Sequence, residues 1–213
     1  MNAMVRILLI DDHELIRAGL KQVLQAGLGK MIVGEAGNSA DALTALHAQT
    51  WDAAIVDITL PGRGGLDLLI EFRKLRPEMP VLVLSVLSED EMATRVLKAG
   101  AAGFVHKETS GEELVKAVRK VLAGGKYVSA SLAEKLANQI GNPAVEDPHK
   151  KLSNREYLVM TMLADGQTLT QISKVLSLSI KTISTYRSRI LQKMHMGTNA
   201  DLTRYALKHG LVE

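Results

Sequence analysis

Five residues in the first half of the chain could act together on a phosphoryl group. They are the adjacent pair Asp11-Asp12, then Asp57, Ser85 and Lys107. Three carboxylates at close range repel one another and call for a cation. A hard divalent ion such as Mg²⁺ takes oxygen ligands, often one or two carboxylates with waters. Lysine is a mobile point charge suited to phosphate oxygens, and a serine hydroxyl can donate a further hydrogen bond to one. A carboxylate can attack phosphorus to give an acyl phosphate, a transfer in which positioning and charge neutralisation dominate. Singly, most of these residues have plainer readings. Asp11 and Asp12 could cap a helix beginning near His13, Ser85 could cap a turn, and Lys107 could be a surface lysine. Asp57 is harder to dismiss, because a carboxylate ending the apolar run Ala-Ala-Ile-Val is costly to bury without a partner.

All five residues follow or end a short apolar run, and these runs must bring them together. Strand-like runs are Val5 to Ile10, Met31 to Val33, Ala53 to Val56, Val81 to Leu84 and Gly103 to Val105. Between them lie segments with helical spacing: Leu15 to Leu24, Ala42 to His47, Leu66 to Leu75, Met92 to Ala99 and Leu114 to Leu122. Five repeats of strand then helix predict an α/β fold, an open five-stranded parallel sheet wound on both faces. Near-continuous apolar strands fit a sheet covered on both sides. In such sheets ligands gather beyond the carboxyl ends of the strands, which is where the five residues stand.

After Gly124-Gly125 no strand pattern returns. Leu132, Leu136 and Ile140 predict a connecting helix, and the stretch 141–150, with Pro143 and Pro148, reads as a linker. The remaining residues predict four short helices near 153–165, 168–176, 179–195 and 198–208. The domain boundaries expected are 4–123, a linker over 124–150, and an all-α domain over 151–213.

Charge separates the halves. Residues 1–145 carry 16 basic and 17 acidic side chains, whereas 146–213 carry 10 and 6. Between Asp165 and Asp201 there is no acid, but there are Lys174, Lys181, Arg187, Arg189 and Lys193. A basic stripe on a small helical module is the footprint of binding to a phosphate backbone, although a basic run alone is more often a solvated face. Over 179–195, Ile183, Ile190, Leu191 and Met194 fall on one side of a helix, and Lys181, Ser184, Thr185, Ser188 and Gln192 on the other. The second face could present hydrogen-bonding groups to the DNA major groove. The preceding helix and the turn at Ser177 to Ser179 complete a helix-turn-helix.

Cysteine is absent, which excludes disulfides, thiol catalysis and cysteine metal sites. No apolar run approaches the ~20 residues of a membrane span, and the start of the chain lacks a secretion pattern. A cytoplasmic protein without a membrane partner is expected.

Residues 5–123 resemble the receiver domain of two-component response regulators. The resemblance rests on Asp11-Asp12-His13, Asp57 followed by Pro61 and Gly65, Ser85, and Lys107. It implies that Asp57 is the phospho-acceptor, that Asp12, Asp57 and the backbone carbonyl of Thr59 ligate Mg²⁺ or another divalent cation, and that Asp11 acts through water. Ser85 and Lys107 would hold the phosphoryl oxygens, and Phe104 matches the aromatic switch position. Thr59 and Leu87 fall where receivers border the path of the hydrolytic water. Val86 stands where a smaller residue is usual, and Glu108 replaces a common proline.

The tail resembles the LuxR-type output domain of the NarL/FixJ family, from Leu152-Ser153-Asn154-Arg155-Glu156 through Ser179-Ile180-Lys181-Thr182-Ile183 to Tyr205-Ala206-Leu207. Relatives usually carry basic residues at the positions of Ser184 and Ser188. Lys181, Arg187, Arg189 and Lys193 are the expected phosphate contacts, which position without specifying sequence.

Together the resemblances imply a transcription regulator, not an enzyme. A sensor histidine kinase would phosphorylate it, and it would bind double-stranded DNA as a homodimer. Two alternatives are an acyl-phosphate hydrolase built on Asp57, Thr59 and Lys107, and a regulator driven by ligand or protein binding with a vestigial pocket. The hydrolase would need a second acid/base residue near the nucleophile, and the sequence offers none.

Overall fold

Five apolar runs form parallel strands: β1 (Val5–Ile10), β2 (Met31–Ala36), β3 (Ala53–Asp57), β4 (Val81–Ser85) and β5 (Gly103–His106). The computed structural model describes residues 4–62, 64–85, 89–134 and 147–212, with 89–91 described by their backbone alone. Strand order is β2-β1-β3-β4-β5. The crossover helices are α1 (Glu14–Leu28), α2 (Ser39–Ala48), α3 (Gly65–Leu75), α4 (Glu89–Lys98) and α5 (Gly111–Leu122). Each predicted strand run lies within an observed strand, and the strands extend beyond the apolar residues to polar ends such as Asp57 and Ser85; the segment Met92 to Ala99 overruns α4 by one residue.

Alternate strand residues point to opposite faces. Ile7, Leu9, Ile55, Leu82, Leu84 and Val105 pack with Leu24 of α1 and with Leu114 and Val118 of α5. Leu8, Ile10, Ala54, Val56, Val83 and Phe104 alternate with them and are also buried, on the side that right-handed crossovers give to α2, α3 and α4. The register sets Val83 beside Phe104 and Ser85 beside His106.

The chain divides into two compact units, Met1–Glu134 and Lys135–Glu213. Past α5, Tyr127 forms an isolated parallel bridge with Gly103. Its N–H donates to Ala102 O at 2.8 Å, and its carbonyl accepts Phe104 N–H at 3.2 Å. The Tyr127 hydroxyl bonds to Glu113 of α5. This one-residue extension of the sheet escaped the strand pattern. Residues 130–134 are helical; the rest of the predicted connecting helix, including Leu136 and Ile140, lies outside the described residues.

The second unit is all-helical among its described residues. A 3-10 turn (Pro148–Lys151) leads into α6 (Asn154–Ala164), α7 (Leu169–Val175), α8 (Ile180–Met194) and α9 (Asn199–Lys208). Capping boxes start α6, α7 and α9 through Ser153/Glu156, Thr168/Gln171 and Thr198/Asp201. Each satisfies otherwise unpaired backbone donors at a helix start. Ile172, Leu176, Ile183, Ile190, Met194 and Leu202 are buried at 3 % exposure or less. Ser177 adopts φ 49°, the left-handed turn residue between α7 and α8.

Candidate functional site

The carboxyl ends of β1, β3, β4 and β5 converge as expected. Asp57 is fully buried, Ser85 likewise, and Asp11 is 1 % exposed. Lys107 reaches over from the end of β5, its Nζ 2.7 Å from Asp11 Oδ2 and 2.9 Å from Asp57 Oδ2. Its backbone N–H donates to Ser85 O at 2.7 Å, fixing the lysine beside the serine. Burial pushes the Lys107 ammonium down, and the charge of Asp57 with hydrogen bonds to Asp11 and Asp57 outweighs it, so its pKa lies above the ordinary lysine value.

The carboxylates are not equivalent. Asp11 Oδ2 faces Lys107, while Asp11 Oδ1 accepts the His13 N–H at 2.8 Å and lies 3.2 Å from the His13 ring nitrogen. Asp57 Oδ2 receives Lys107 and the Thr59 hydroxyl at 2.7 Å, and Asp57 Oδ1 receives the Thr59 N–H at 3.1 Å. Asp12 is exposed, its side chain 30 % so, and its Oδ1 lies 3.1 Å from His13 Nδ1. One ligand atom from each of Asp11, Asp12, His13 and Asp57 falls within a 4.8 Å group. This acidic set suits a divalent cation, and Asp12 is its most accessible carboxylate. His13 is the N-cap of α1 and its own side chain makes no cap bond, while Asp11 Oδ1 accepts the backbone N–H of that residue, so Asp11 also steadies the helix start.

Gly65 explains how α3 begins so close. A Cβ there would stand 2.0 Å from the Asp57 carbonyl oxygen, so only glycine allows this approach. Phe104 is 1 % exposed, on the sheet face opposite α1 and α5. Val86 and Leu87 lie outside the described residues. Spacing alone did not reveal that Thr59 hydrogen-bonds Asp57 through both backbone and hydroxyl, nor that His13 joins the acidic group. Both are short-range turn contacts, and the i, i+2 relation of Thr59 to Asp57 was their one available signal.

On α8, Lys181, Ser184, Thr185, Ser188, Arg189 and Gln192 are all exposed. The Thr185 hydroxyl donates to Lys181 O at 2.9 Å and that of Ser188 to Ser184 O at 3.1 Å. Their oxygens still offer acceptor capacity outward. Arg187 differs, being half-buried, with Nε donating to Asn199 Oδ1 at 2.6 Å. Lys193 is also engaged, its Nζ 2.6 Å from Glu156 Oε2. Val175 and Ile180, on either side of the turn, are 44 % and 49 % exposed.

Residues 7–119 match the family described as the response regulator receiver domain, and residues 150–206 match the bacterial regulatory proteins of the luxR family. Response regulator UvrY of Escherichia coli (strain K12) is 35 % identical over 209 residues, 98 % of this chain and 96 % of that protein. Response regulator GacA of Pseudomonas aeruginosa is 36 % identical over 211 residues, 99 % of both chains. Among solved structures, RcsB from Salmonella enterica serovar Typhimurium bound to promoter P1flhDC with the phosphomimetic BeF3⁻ aligns at TM-score 0.66. It is 25 % identical, and the alignment covers 95 % of this chain and 98 % of that one.

Proposed function

The chain belongs to the two-component response regulators of the NarL/FixJ family, a receiver followed by a LuxR-type helix-turn-helix output, and on that premise we propose the roles of its residues. The protein is a transcription regulator and not a catalytic enzyme, which removes the hydrolase alternative. A receiver implies a kinase partner; we read that partner as a sensor histidine kinase. No helix of the described residues is long and apolar enough to cross a membrane, and a cytoplasmic location is the reading that goes with a kinase-fed DNA regulator.

Asp57 is the phospho-acceptor in this reading. One of its carboxylate oxygens forms a bond to phosphorus as the donor's phosphorus–nitrogen bond breaks, and the donor imidazole leaves with a proton. Asp12, Asp57 and the Thr59 carbonyl would hold Mg²⁺, with Asp11 acting through water. Mg²⁺ supplies charge neutralisation to the phosphoryl oxygens. Lys107 and Ser85 hold those oxygens, and Phe104 senses the change as part of a two-state surface. The single observation that carries this reading is Lys107 bridging two buried carboxylates at the strand ends. Exposure to a small phosphodonor with Mg²⁺, followed by intact-mass measurement, tests it. A gain of one phosphoryl group on Asp57 is expected, and a protein that gains none overturns it.

The receiver spans 4–123, the linker 124–150 and the output domain 151–213. The output domain binds double-stranded DNA as a homodimer. RcsB is solved on a promoter, and the exposed face of α8 offers what a major groove requires. Ser184, Thr185, Ser188 and Gln192 face the bases, and Lys181 and Arg189 face phosphates, while Arg187 and Lys193, expected to join them, are bonded to Asn199 and Glu156. Serines at 184 and 188 give shorter, neutral readers than the basic residues common in relatives.

A further inference from the structure

The two aspartates that follow β1 are joined by one peptide, and the orientation of that peptide decides where both carboxylates point. Asp11 N–H is held by Ala36 O of β2 at 3.2 Å. The Asp11 carbonyl is held from α1, where Arg17 Nη1 donates to it at 2.6 Å. The same guanidinium lies with Nε 3.5 Å from Glu35 Oε2, and Lys21 Nζ sits 3.1 Å from Glu35 Oε1. Glu35 precedes Ala36, which pairs with Ile10. The Arg17 side chain is only 15 % exposed.

From this geometry we propose that Arg17 is a positioning residue for the cation and phosphoryl site. It locks the Asp11–Asp12 peptide against the end of β2, so that Asp11 faces Lys107 while Asp12 is left open to a metal. The inference rests on the reading of Asp12 and Asp57 as cation ligands. A guanidinium suits the task because its extended planar charge can act in two directions at once, here as a hydrogen bond from Nη1 to the Asp11 carbonyl and an ion pair from Nε to Glu35. An ammonium is a single point donor and cannot span both. Glu35 balances the positive charge, so the contribution is one of geometry. A pure charge effect would have the opposite sign, because removing a cation beside an acidic pocket tightens a divalent ion.

The test is Mg²⁺ titration calorimetry of the full chain well below its melting temperature, on wild type, Arg17→Ala and Arg17→Lys, with melting temperatures measured separately. Phosphorylation is followed with a small phosphodonor, which keeps kinase docking out of the result. Both variants are expected to bind Mg²⁺ about tenfold more weakly, a shift of about 1.4 kcal/mol. The Mg²⁺ concentration for half-maximal phosphorylation should rise in parallel, while the rate at saturating Mg²⁺ changes less than twofold. A lowered melting temperature with unchanged Mg²⁺ affinity overturns the proposal and leaves the cation reading intact, as does tighter binding in Arg17→Ala. A wild-type protein that binds no Mg²⁺ overturns the cation reading and this inference with it.

Discussion

The ammonium of Lys193, on α8, lies 2.6 Å from Oε2 of Glu156, on α6, and so ties the candidate recognition helix to the first helix of its unit. Glu156 is 4 % exposed, and the same oxygen accepts the Ser153 N–H at 2.8 Å. Burial pushes the Glu156 carboxyl up, and the bonds from Lys193 and Ser153 overcome it, so its pKa lies below the ordinary glutamate value. The unfolded chain therefore binds this proton more readily. The stabilisation is present above the unfolded value of about 4.3 and is lost as pH falls through the lower folded value. Glu156→Gln should lower the melting temperature at neutral pH, and the gap from wild type should narrow on acidification. Melts followed by circular dichroism check this, and a gap independent of pH would count against it.

Lys107 is the counter-charge for two buried carboxylates. Lys107→Met should cost about 3–5 kcal/mol, the range for breaking a buried ion pair from one side. Mg²⁺ should then raise the melting temperature of the variant more than that of wild type, because the ion replaces the missing charge and binds only the folded chain. Calorimetric scans with and without Mg²⁺ decide this; equal shifts in the two proteins would show that the ion does not take the lysine's place.

Asp57→Asn should abolish phosphorylation by a small donor, since an amide lacks the nucleophilic oxygen. Intact mass before and after donor treatment measures it. Normal uptake by the variant would move the acceptor elsewhere.

These predictions use residues that the sequence made legible to different degrees. Asp57, Ser85 and Lys107 could be read because each ends or follows an apolar run, and a parallel sheet brings such ends together. Arg17 could not, because its partner is a backbone carbonyl and any residue type supplies one. Lys193 and Glu156 are 37 positions apart, and only helix packing makes them neighbours. Tyr127 joins the sheet as a single residue, too short for any period to show.

DNA affinity should fall steeply with salt, as phosphate-contacting cations release counterions from the duplex. Lys181→Ala and Arg189→Ala, both exposed on α8, should each reduce the slope of log K against log salt by about 1. Fluorescence anisotropy with a mapped operator measures it, and slopes equal to wild type would clear both residues of phosphate contact.

The acyl phosphate should persist for many minutes. Thr59 has only a short hydroxyl, and this hydroxyl is directed at Asp57 Oδ2; Leu87 carries no group that could orient a water. Loss of phosphate after donor removal gives the lifetime, and Leu87→Glu should shorten it. Decay of wild type within seconds would refute the shielding.

Tyr127 also has a bearing on where the chain can be cut. Its backbone lies along the open side of β5 by pairing with Ala102 and Phe104, and the residue is 6 % exposed. A fragment ending at residue 123 would uncover the Phe104 N–H and the Ala102 carbonyl at the sheet edge, which invites pairing between molecules. A fragment ending at 134 keeps both groups paired. The shorter piece should self-associate and the longer one stay dispersed, so the first residues after α5 act as a selvedge for the sheet as well as the start of the tether.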